Sequence, residues 1–120
     1  LEKNSLPSRA QGRKVLGMAF NISRREILDN LAAREKTNGH KKLWTRKPAI
    51  LRAIEAAEWR TPSDVRKTFG AADFVGDLIV IDICGNDYRL VIKVNCDAKA
   101  VEFRWAGNHD EYNEVKIKAP

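Results

Sequence analysis

Long apolar runs are missing from this chain. Nothing in it approaches the roughly 20 residues that a membrane-spanning helix needs. The stretch "VLGMAF" is too brief and Gly-broken for a signal-peptide core, which wants about 7–15 apolar residues. No membrane partner is expected. Cysteine is scarce: Cys84 and Cys96 are the two present, too few for a secreted disulfide scaffold, and they read as reduced thiols of a cytoplasmic protein. Histidine is as rare, with two residues. No CxxC or HxxxH spacing occurs, so neither a zinc site nor any other cofactor is expected. There is no internal repeat and no low-complexity segment.

What the chain does have is 43% hydrophobic and 32% charged residues over 120 positions. That balance fits one soluble globular domain with a single modest core, not a disordered chain. The formal net charge is +6. Within residues 1–17, Lys3, Arg9, Arg13 and Lys14 face Glu2 alone, so half of the excess lies there. A basic domain suits an anionic partner such as nucleic acid, whose encounter rate it raises. With half of the charge in one short segment, placement matters more than the total. Residues 1–17 lack any apolar period and read as a disordered leader, native or an expression remnant. Residues 18–120 read as the single domain.

The period along that domain changes once. "AFNI" (19–22) reads as a short strand. Ser23 with Glu26 three residues on has the capping-box spacing, and Ile27, Leu28 and Leu31 give the following helix its stripe. Asn38-Gly39 within "KTNGHKK" is a turn signal. Leu43, Ile50, Leu51, Ile54 and Ala57 mark a second helix, with Pro48 expected in its first turn. Thr61-Pro62-Ser63-Asp64 begins a short helix that Gly70 ends. Beyond Gly70 the period is two. "DLIVIDIC" (77–84), "YRLVIKV" (88–94) and "AVEFRWA" (100–106), joined by "GND" and "NCDAK", make an antiparallel meander. The fold class is α+β, with N-terminal helices packed on one face of a small antiparallel β-sheet.

Alternation assigns faces. Tyr88, Leu90, Ile92 and Val94 form a core row, as do Val101, Phe103 and Trp105. The opposite rows place Arg89, Lys93 and Arg104 on an open cationic face, a cradle for phosphates unless Asp82 and Glu102 pair with the arginines and cancel it. At the end of the last strand, Gly107 should stop the pairing just before His109, Asp110, Glu111 and Tyr112. An imidazole and a phenol there suit proton transfer; the bland alternative is a solvated strand end with Tyr112 in the core. Trp44, Trp59 and Trp105 are expected in the core. Lys41, Lys42, Arg46 and Lys47 are either a solvated helix end or contacts to an RNA backbone.

One set of marks goes beyond pattern. Trp59 precedes Thr61-Pro62 and Asp64-Val65; then come Phe74-Val75-Gly76, Gly85-Asn86 with Tyr88-Arg89-Leu90, and Gly107, His109, Tyr112. In this order, over residues 57–115, the chain resembles the HigB family of toxins from type II toxin–antitoxin systems. It departs in carrying Asn108 where Thr is common and Cys84 where Gly is common, and "TNGHKKLWTRKP" is longer than the usual turn. The resemblance implies a RelE-like fold and an mRNA interferase that cuts messenger on the translating ribosome without a metal. It also implies a HigA-type helix-turn-helix antitoxin as partner, with operator DNA bound only through that antitoxin. Such an endoribonuclease uses the RNA 2′-OH as nucleophile, so it needs a base, an acid and cations for the developing charge. The expected catalytic set is Arg89, His109, Tyr112, Lys93 and Arg104, with Lys41, Lys42, Arg46 and Lys47 binding RNA. Two other functions share these residues: a non-catalytic nucleic-acid-binding module, and a degenerate toxin that only binds its antitoxin.

Overall fold

The computed structural model describes residues 19–35, 37–85 and 87–115; the expected leader (1–17) lies outside them. A mixed sheet has the order β1-β5-β4-β3-β2. Its strands are β1 (Asn21–Ser23), β2 (Asp73–Val75), β3 (Leu78–Ile83), β4 (Tyr88–Asn95) and β5 (Ala100–Asn108). The helices are α1 (Glu26–Arg34), α2 (Thr37–Glu55), α3 (Val65–Thr68), which follows a 3-10 turn at Pro62–Asp64, and α4 (His109–Val115). The α+β class expected from the period change is what the chain adopts. The meander β3-β4-β5 is antiparallel, but β1 pairs with β5 in parallel.

Alternation builds the core. Ile79, Ile81 and Ile83 from β3, Leu90 and Ile92 from β4, and Val101 and Phe103 from β5 meet Leu28, Leu31, Leu43, Ile50 and Ile54 from α1 and α2. Each such side chain contributes roughly 1.5–3 kcal/mol when fully buried. Trp59 joins them, its indole N–H donating to Thr68 Oγ1 at 3.0 Å. Trp44 does not: it stands 44% exposed on α2, with Lys47 Nζ 4.6 Å from its ring. At 61–64 the expected helix start holds, with Thr61 and Asp64 forming a capping box.

Three local expectations give way. Ser23 ends β1 and does not cap α1; Arg24 takes a left-handed φ of 60°, and the cap position falls to Arg25, which makes no side-chain cap bond. Asn38-Gly39 is no turn but lies in the first turns of α2. Pro48 sits inside that helix, because Leu43, Ile50 and Ile54 bury one continuous stripe across it. Burial outweighs the single ladder bond that a proline removes.

Gly39 has a steric reason that a turn signal hides. A Cβ there would collide with the Tyr88 hydroxyl, which donates to Glu35 Oε1 at 2.7 Å. His40 fixes the same corner, its ring Nδ1 bonding the Ala32 carbonyl at 2.6 Å. Gly39→Ala should therefore destabilise the fold, since overpacking costs about 1–3 kcal/mol and the helix-propensity gain returns at most about 1. In a Tyr88→Phe background, which removes the colliding oxygen, the same substitution should become neutral or stabilising. Urea denaturation of the four proteins of this cycle checks the change of sign.

Candidate active site at the end of the sheet

The register of β5 against β4 decides what shares the second face. Val94 pairs with Val101 and Ile92 with Phe103; then a bulge skips Arg104, so Val91 meets Trp105, Leu90 meets Ala106 and Arg89 meets Gly107. One extra residue exchanges the faces beyond it. Trp105 therefore leaves the core row in which alternation had placed it and joins Val80 and Val91 on the opposite side, while Ala106 turns to the core. The indole lies over Gly107, where an added Cβ would stand 2.5 Å from its edge. Tyr112 packs on the same ring at 6.0 Å between centroids.

Arg89 is the centre of this face. Its Nη1 contacts Asp82 Oδ1 at 2.7 Å, across a registered strand pair. Its Nη2 lies 2.8 Å from His109 Nδ1. A guanidinium only donates, so Nδ1 accepts and the imidazole in this contact carries its proton on Nε2. The Arg89 side chain is 14% exposed, so the contact is sheltered, whereas His109 itself is exposed.

Gly107 does not end the strand as expected. β5 continues to Asn108, and His109 opens α4. Asn108 Oδ1 accepts from the Glu111 N–H and Glu111 Oε1 from the Asn108 N–H, both at 2.8 Å. This is a capping box, with Asn at the cap and Glu three residues later. The N-x-x-E spacing was there to be read. Glu111 also forms a two-pronged ion pair with Arg34 of α1, both bonds 2.7 Å. The helix places Tyr112 one turn after His109, on the same side.

The other expected residues are not gathered at this point. Lys93 is four positions along β4 from Arg89, about 13 Å at strand rise, and pairs with Asp77 at 3.3 Å. Arg104 occupies the bulge and reaches back to Glu102 at 3.3 Å. Arg89 and Arg104 thus have the carboxylate partners that the alternative reading named, and the open cationic cradle is an ion-paired face. On α2, Lys47 pairs with Asp29. Lys41, Lys42 and Arg46 line a shallow surface depression. Lys42 reaches Asp87, whose carbonyl takes the His109 N–H at 3.3 Å, so the basic start of α2 adjoins the Arg89–His109 corner. Cys84 and Gly85 in the β3–β4 turn have φ of 54° and 71°, which explains why glycine suits position 84. Among the described residues no three His, Cys, Asp or Glu side chains converge as a metal site, and no helix is long and apolar enough to cross a membrane.

Helices on one face of a mixed sheet, with an arginine, an imidazole and a phenol near the end of the other, define an α+β domain with a polar site at the junction of β4, β5 and α4. The family model of the HigB toxin, the RelE-like toxic component of a toxin–antitoxin system, matches residues 48–115, more than half of the chain. The chain belongs to that family. An antitoxin is therefore its implied partner. No curated protein matches it.

The ion pair gives the site a pH limit. Hydrogen bonds from Arg34 hold the Glu111 carboxyl below its ordinary range against the opposing effect of burial, and the Asn108 N–H adds to them. A carboxyl depressed in the folded state adds stability above its unfolded pKa, about 4.3, and loses it as pH falls through the lower folded value. Amide exchange in residues 109–115 should stay slow at pH 6 and, relative to the sheet, quicken on acidification below about 4. Glu111→Gln should remove most of that pH dependence. Equal acid response in both proteins would place the titrating group elsewhere.

Proposed function

We propose that this toxin is a metal-independent endoribonuclease that cleaves messenger on the translating ribosome by 2′-OH attack on the adjacent phosphate. The observation that supports it is the 2.8 Å contact between Arg89 and His109 beside Tyr112, on the face that the helices leave uncovered. In the resting arrangement the Nδ1 lone pair is engaged by the guanidinium. A phosphate drawn to Arg89 competes for those donors and releases Nδ1, which then takes the proton of the 2′-OH. Arg89 stabilises the charge that develops on the phosphoryl oxygens, and the Tyr112 phenol donates to the leaving 5′-oxygen. Positioned acid–base groups supply about 10²–10⁴-fold, and an oriented charge about 10²–10³-fold. Lys41, Lys42 and Arg46 hold RNA backbone next to this corner, and Lys93 and Arg104 extend the contact along the sheet. The antitoxin is of the HigA helix-turn-helix type and carries any operator binding.

A degenerate toxin that binds only its antitoxin is the second reading, favoured by one observation: Asp82 already neutralises Arg89. The two readings separate in a purified translation system with chelator present. Cleavage should persist and leave 2′,3′-cyclic phosphate or 3′-phosphate ends. Arg89→Ala and His109→Gln should each lower the rate by about 10²-fold or more with the fold intact, and Tyr112→Phe by a smaller factor because its ring stays packed on Trp105. Absence of cleavage by the wild-type chain, with antitoxin binding retained, would establish the second reading.

A further inference from the structure

The residues immediately before Arg89 and His109 are both tied to the end of α1. Tyr88 and Asn108 are register partners on β4 and β5. The Tyr88 hydroxyl donates to Glu35 at 2.7 Å, and Asn108 shares its capping box with Glu111, which Arg34 grips through two 2.7 Å bonds. Arg34 and Glu35 are consecutive, the last residue of α1 and its C-cap. A closed circuit of polar contacts therefore runs from Arg34 through Glu111, Asn108, the β5–β4 pairing and Tyr88 back to Glu35. Arg89 and His109 each lie one residue beyond it.

The geometry points to Arg34 and Glu35 as a two-point clamp that sets the Arg89–His109 separation, making them positioning residues for the chemistry proposed above. They touch neither guanidinium nor imidazole. Glu35 fixes the start of β4, where Tyr88 is only 6% exposed and Gly39 closes over its hydroxyl. Arg34 fixes α4, a seven-residue helix with no buried residue of its own. A helix so short is marginal without tertiary contacts, and its side-chain anchors include the Glu111 bonds, the Tyr112–Trp105 ring contact and the His109–Arg89 contact itself. Isolated surface ion pairs contribute little, but a two-pronged guanidinium–carboxylate pair coupled to a helix cap is the favourable exception. The Glu111 oxygen that caps Asn108 is itself one of the two that Arg34 binds, so loss of Arg34 loosens the cap and the helix together.

The clamp rests on the proposed RNA chemistry for its effect on cleavage alone. Imidazole nitrogen resonances of His109 report whether Nδ1 accepts from Arg89, amide exchange reports whether α4 is docked, and single-turnover RNA cleavage reports the chemistry. Arg34→Ala and Tyr88→Phe should each change the His109 Nδ1 resonance, and Arg34→Ala should speed exchange over residues 109–115 at least about tenfold. Cleavage should fall about 10- to 100-fold, the scale of an ångström of misplacement, with KM nearly unchanged and the sheet amides still protected. Arg34→Lys, which keeps a cation beside Glu111 and leaves its carboxylate capping Asn108, should fall between the wild type and Arg34→Ala in both resonance and rate. An unchanged His109 resonance in folded single variants would overturn the clamp. If the wild-type chain cuts no RNA, the proposed function fails while the resonance and exchange measurements still decide the clamp.

Discussion

One skipped residue in the pairing of β4 with β5 governs the functional half of this molecule. Without the bulge at Arg104, strand alternation would carry Trp105 and Gly107 into the core and turn Ala106 and Asn108 outward. With it, Gly107 stands beside Arg89 on the uncovered face and Trp105 lies over it. Asn108 turns to the opposite side, toward Tyr88 and α1. The bulge thus separates two tasks within three consecutive residues: Gly107 leaves room for an indole, Asn108 caps and anchors, and His109 emerges into the site. Bulges are frequent where a strand must re-aim a side chain next to a reactive centre. Here the re-aimed side chain is an indole, and it supports the phenol of Tyr112.

The same face is nearly balanced in charge. Arg89 answers Asp82, Lys93 answers Asp77 and Arg104 answers Glu102. If RNA binds here as proposed, balance makes the face selective. An incoming phosphate would have to replace a carboxylate or an imidazole at a guanidinium already held in position, so net affinity from each contact would be small while orientation is strict. In the proposed reaction, long-range attraction would fall to the basic start of α2, where Lys42 adjoins the site through Asp87. Such a division between capture and reaction suits a modest overall net charge of +6.

The legible part of this fold was the part set by burial. The change of period after Gly70, the three meander strands and the helix start at Thr61–Asp64 all follow from local pattern, and each is present. Arg89 on the uncovered face followed from simple alternation, because β4 pairs regularly with β3 throughout. What alternation could not see was the bulge, since a single sequence gives no register, and with it went the face of Trp105. The two misread glycines share another cause. Gly39 and Gly107 look like a turn and a strand stop, yet each leaves space for an aromatic side chain, the Tyr88 hydroxyl and the Trp105 indole. The Tyr88 contact comes from a distant part of the chain and has no local signature; Trp105 is a near neighbour of Gly107 on one strand, but a glycine that makes room for an indole looks the same in sequence as one that stops a strand. Glu111 is different: the Asn108-x-x-Glu111 spacing was a helix-start signal, overlooked because a strand end was expected there.

The matched family region and the frame that holds the site do not coincide. Residues 48–115 contain Arg89, His109 and Tyr112, but Arg34 and Glu35 lie before that region begins. In the proposed mechanism, chemistry and support therefore come from different parts of the chain. The buried face of α1, Leu28, Leu31 and Ala32, needs only hydrophobic volume in place. Its polar C-terminal end is more exacting, because a two-pronged ion pair and a short phenol–carboxylate bond tolerate little displacement. On the clamp proposed above, a change in α1 that preserves its buried stripe but shifts its last turn would leave a folded protein in which Arg89 and His109 are present and no longer in contact. The clamp thus makes stability and activity separable along this stretch: the buried face of α1 sustains the fold, while Arg34 and the C-cap Glu35 would sustain the geometry of the site.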